Sequence, residues 1–72
     1  MIMEVAEVRI DFYDDVRKYW CVDVWYTEND SEEGEVVATI DDNGKIEWRN
    51  KEMKDNPIVQ EEIETFLADM KN

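Results

Sequence analysis

The sequence predicts an α+β domain: a four-stranded antiparallel β-meander with one C-terminal helix packed across one face of the sheet. Three observations predict it. Stretches at residues 4–12, 16–26, 35–41 and 45–49 carry apolar side chains at alternate positions, the period of a strand. The last two flank Asp42-Asn43-Gly44, residue types that build turns. From Asn56 onward the apolar spacing changes to threes and fours, the period of a helix.

Residues 4–12 place Ala6, Val8, Ile10 and Phe12 on one side and Glu7, Arg9 and Asp11 on the other, a first strand with one buried face. Asp14-Asp15 interrupts the pattern. With no glycine nearby, a two-residue hairpin is disfavoured, and a loop of about three to five residues is expected. Residues 16–26 read as the central strand, because they are the longest run rich in β-branched and aromatic residues. Val16, Trp20, Val22, Val24 and Tyr26 form one apolar face, broken by Lys18. Tyr19, Cys21 and Trp25 make the other face partly apolar too, as expected of a strand in mid-sheet.

Residues 27–35 contain five acids and no base, and they read as a solvated loop. Glu35 to Asp41 comes next as a third strand with Val36, Ala38 and Ile40 inward, and Lys45 to Arg49 as a fourth with Ile46 and Trp48 inward. A two-residue loop at Asn43-Gly44 would set Ile40 opposite Glu47 and defeat the apolar pattern of one strand. A three-residue loop, with Gly44 left-handed as a bulge, pairs Ile40 with Ile46, Ala38 with Trp48 and Asp41 with Lys45. The three-residue loop is therefore expected. Residues 50–55 are polar apart from Met53 and cross to the other side of the domain. Asn56 then suits an N-cap and Pro57 the first helical position, and Val59, Ile63, Phe66, Leu67 and Met70 make one apolar stripe. No repeat or second domain is visible in residues 1–72.

Composition narrows function. The chain of 72 residues has 20 acids, 8 bases, no histidine and a net charge of -12. Such a surface attracts basic partners and repels nucleic acid and anionic membranes, so no direct nucleic-acid partner and no membrane partner is expected. The first residues lack the basic and apolar regions of a signal peptide, and no apolar run reaches the roughly 20 residues of a membrane span, so a cytoplasmic location is expected. Cys21 is the one cysteine, which excludes an intrachain disulfide.

Catalytic and metal constellations are not found. The acidic residues do not fit the calcium-loop pattern, counted from either Gly34 or Gly44. Ser31 and Cys21 have no histidine to activate them, and a negative field raises a thiol pKa. Asp23 lies where Arg9 of the first strand could reach it, a structural ion pair. No catalytic residue, metal site or cofactor is expected.

What remains is surface. In size and charge the chain resembles the small acidic inhibitors that phages and mobile elements direct against nucleic-acid enzymes. That resemblance is compositional and transfers no residue. It implies a non-enzymatic acidic binding protein that blocks a basic, nucleic-acid-handling protein; the density of acids in the loop, not the resemblance, makes Glu28, Asp30, Glu32 and Glu33 the expected contact residues. A second expectation starts from the outer sheet face. Pairing Tyr26 with Val36 sets Trp25 beside Val37, so that Trp25, Tyr19, Val37 and Tyr13 form an aromatic patch for a partner or a second copy of the chain.

Overall fold

The computed structural model describes residues 4–27 and 34–71. The strands are β1 (Val5–Asp14), β2 (Tyr19–Tyr26), β3 (Glu35–Asp41) and β4 (Ile46–Trp48). They form one antiparallel sheet in the order β1-β2-β3-β4. A short 3-10 helix, Lys51–Asp55, leads into α1 (Pro57–Lys71), which packs on the sheet. The ββββα architecture is the one expected.

Two local expectations hold in detail. Ile46 lies opposite Ile40 and Trp48 opposite Ala38, so the register is the one that keeps both apolar faces together. Gly44 has a φ of 83° and donates its N–H to the Asp41 carbonyl at 3.0 Å. Asp41 also accepts the N–H groups of Asn43 and Lys45 on its carboxylate, each at 2.9 Å, which organises the loop from within. At the helix start, Asn56 Oδ1 accepts from Ile58 N–H at 3.0 Å and Val59 N–H at 3.3 Å. The cap satisfies two of the amides that a helix leaves orphaned.

The central strand starts later than its composition suggests. Asp14 accepts the N–H groups of Val16 and Arg17 on Oδ1, each at 3.0 Å, and its carbonyl accepts from Lys18 N–H at 2.7 Å. Residues 15–18 are thereby wound into a turn, with Lys18 at a φ of 64°. Val16 is not in the strand at all and stands 86% exposed.

Three register shifts revise which side chains face the core. The first lies between Val5 and Glu7, the second between Arg9 and Phe12. Each inserts one extra β1 residue and reverses the parity of the residues beyond it, as a β-bulge does. Val5 is buried in place of Ala6; Phe12, expected inward, sits opposite Cys21 on the outer face and is 59% exposed. Tyr13 goes to the inner face instead. Its ring lies 5.1 Å from that of Trp20, which meets Phe66 of α1 edge-on at 5.3 Å. The third shift is in β3 at Val37, between the Val22–Ala38 and Asp23–Val36 pairs.

Val37 is accordingly not on the outer face. It is fully buried in the core cluster with Val22, Val24, Ala38 and Ile40. Its carbonyl accepts both Arg49 N–H at 2.8 Å and Asn50 N–H at 3.0 Å, which draws the chain out of the β4 ladder after Trp48. The expected pairing of Tyr26 with Val36 is replaced by Asp23 opposite Val36 and Val24 opposite Glu35.

The segment after β4 does more than cross over. Asn50 Oδ1 caps Glu52 N–H at 3.1 Å, and the resulting 3-10 turn buries Met53 beneath the helix. Val59 and Ile63 complete the core from α1; Phe66 and Leu67 are half-buried, and Met70 at the end of the stripe is 38% exposed. The described residues contain no helix long and apolar enough to cross a membrane.

Candidate functional site

The outer face of the sheet gathers all three arginines of the chain around two aromatic rings. Alternation along β2 sends Tyr19, Cys21 and Trp25 outward while Trp20, Val22 and Val24 go to the core. The Arg9 guanidinium lies 5.3 Å from the Trp25 ring centroid, and that of Arg49 lies 5.9 Å from the Tyr19 ring, cation–π distances in both cases. Arg17 Nη1 and Arg49 Nη2 both donate to Tyr19 Oη, at 3.3 and 2.9 Å.

Arg9 lies opposite Asp23 in the ladder, yet its Nε goes to Glu7 Oε1 at 3.2 Å rather than to Asp23. Burial, and then the charge of Asp11, push the Asp23 carboxyl above the ordinary aspartate value. Burial chiefly, with the charge of Asp23, also raises the Cys21 thiol, which disfavours the thiolate.

Trp25 is covered from a second side by its own chain. A Cβ built on Gly34 would come within 2.9 Å of the indole, so the backbone at Gly34 passes directly against the ring. Glycine there allows a contact that no other residue permits without displacement. Of the expected patch, Tyr19 and Trp25 are in place and half-buried, Tyr13 and Val37 are on the other side of the sheet, and Arg17 joins from the turn.

Glu28, Asp30, Glu32 and Glu33 lie outside the described residues. The ends of their segment are anchored. Tyr26 Oη donates to Glu35 Oε2 at 2.8 Å, and Asn50 Nδ2 donates to the same oxygen at 2.9 Å. Burial, together with the bond to Glu35, pushes the Tyr26 phenol up to about 12. The unfolded phenol ionises near 10, so from about pH 10 to 12 the unfolded chain binds fewer protons than the folded one. Stability from this group is intact below that window and lost as pH rises through it. Tyr26→Phe should flatten the loss, as measured by urea unfolding at stepped alkaline pH; an unchanged slope would assign the transition to another group.

The remaining acids are spread over every element. All sixteen described carboxylates are exposed or half-exposed, and among the described residues the one ion pair is that between Glu7 and Arg9. No group of three or more His, Cys, Asp or Glu among the described residues could hold a metal ion. On the inner side, a cleft of about 310 Å3 opens between β4 and α1, lined by Ile46, Trp48, Ile63 and Leu67 with Lys54, Gln60 and Glu64 at its sides. Comparison of the chain with known protein families, with curated proteins and with solved structures finds no match.

Proposed function

We propose that the chain is a non-enzymatic acidic binding protein that occupies the basic, nucleic-acid-binding surface of a partner and so competes with nucleic acid for it. The observation that carries this reading is the near absence of internal neutralisation: sixteen solvent-facing carboxylates share a single ion pair among the described residues. Charges left unpaired at a surface project a field that steers a basic partner toward it and speeds encounter. The acids of residues 28–33 add to that field from a segment whose ends Tyr26 and Glu35 hold together.

A partner captured by the immobilised protein should be released by excess duplex DNA, and its affinity should fall steeply between about 50 and 200 mM salt, more shallowly than for a true duplex because a folded protein lacks condensed counterions. Converting Glu28, Asp30, Glu32 and Glu33 together to their amides should slow association and leave the fold intact. A partner that binds DNA and this protein at once, with independent affinities, overturns the reading. A second reading, self-association through the outer face, is favoured by the exposed Phe12 beside Cys21 and by the arginine-and-aromatic composition typical of interfaces. Sedimentation at high concentration is its test, and a strictly monomeric protein removes it.

A further inference from the structure

We propose that Arg17, Tyr19 and Arg49 form a binding site for a single oxyanion of the phosphate-monoester class on the outer face of the sheet. The two guanidinium groups reach Tyr19 Oη from different parts of the chain, Arg17 from the turn at residues 15–18 and Arg49 from just beyond β4. Both side chains belong to exposed residues. The acceptor they share is a phenol rather than a carboxylate, although Asp14 and Asp41 lie opposite Tyr19 on the two neighbouring strands.

That pairing runs against the composition. Acids outnumber bases by 20 to 8, yet among the described residues neither Arg17 nor Arg49 forms an ion pair with a carboxylate. Asp14, whose charge reaches Arg17, has its Oδ1 occupied by the N–H groups of Val16 and Arg17. Each guanidinium carries five N–H donors and gives one to the phenol, which leaves most of both forks for a ligand. The shared hydroxyl holds both guanidinium groups at one place on the sheet beforehand.

The ligand class is set by charge and shape. A phosphate monoester carries about -1.5 to -2 at neutral pH, which matches two guanidinium charges, and its oxygens suit the bidentate geometry of arginine. A carboxylate offers the same hydrogen bonds with half the charge and should bind more weakly. The net charge of -12 opposes a long polyanion, whereas a single group docked at the forks lies within roughly 8 Å of both guanidinium groups, the screening length in physiological salt.

The full chain, labelled with 15N at arginine, is titrated with sodium phosphate at constant ionic strength and neutral pH, following the side-chain Nε–H resonances of Arg17 and Arg49. A saturable shift of both is expected, with a dissociation constant on the order of 1 mM. Arg17→Gln and Arg49→Gln should each weaken it by about tenfold, the loss of a charge-assisted hydrogen bond. Tyr19→Phe, which keeps both cations, should weaken it less. A shift that stays linear, or a saturable Arg49 shift that is as tight in Arg17→Gln as in the wild type, overturns the site. Acetate binding as tightly as phosphate would overturn the assignment to a dianion.

Discussion

Replacing Ile40 by alanine should destabilise the domain by about 2–5 kcal/mol, whereas the same truncation at Phe12 should stay within about 0.5 kcal/mol. Ile40 is completely buried, with Trp20 opposite it on one side and Ile46 on the other. Removing its outer carbons leaves a cavity that three strands have to close around. Phe12 carries a larger side chain on a strand whose neighbouring positions read as alternately buried, yet the second β1 bulge turns it outward to 59% exposure. Denaturant midpoints of the two variants therefore report the parity of β1 directly. A domain of this size has about 5 kcal/mol to lose at the low end of the usual range, so a cost near the top of that interval leaves Ile40→Ala partly unfolded at room temperature. Equal costs at the two positions would mean that β1 runs without its second bulge.

Phe66→Ala should cost about 3 kcal/mol, the lower end of the range for a lost core phenylalanine because the residue is half-buried. Phe66 is where α1 meets the row of rings formed by Tyr13 and Trp20, with centroid separations of 5.1 and 5.3 Å along the row. The variant loses apolar burial and an edge-to-face contact together. Trp20 should also become more exposed, so its emission should shift to longer wavelength along with the fall in melting temperature. An unchanged melting temperature would show that α1 is not docked through this residue.

Where local chemistry and hydrophobic pattern agreed, the chain could be read directly. Asn56-Pro57 marks a helix start by capping and by proline's missing N–H, with no help from the rest of the molecule. The loop at 42–44 was legible because one register alone puts Ile40 beside Ile46 and Ala38 beside Trp48, and glycine at 44 supplies the left-handed residue that register needs. Tyr19 and Trp25 could be placed on the outer face because β2 itself carries no extra residue that would break its alternation.

Alternation predicts a face only until a residue is inserted, and the reward for inserting one comes from elsewhere in the chain. Tyr13 turns inward because Trp20 and Phe66 offer their rings and Asp42, 29 residues away, accepts its hydroxyl at 2.9 Å. Val37 is drawn into the core while its carbonyl takes two N–H groups from the end of β4. Met53 is buried because Asn50 winds a polar stretch into a 3-10 turn under α1. Arg49 reaches Tyr19 across 30 residues of sequence, from beyond the far edge of the sheet, to meet Arg17 of the β1–β2 turn. Acidity and the order of elements are properties of the string of residues, since charge and local propensity add along it. Which side chains share a face is settled by register shifts whose energy depends on partners that only the folded sheet brings into contact.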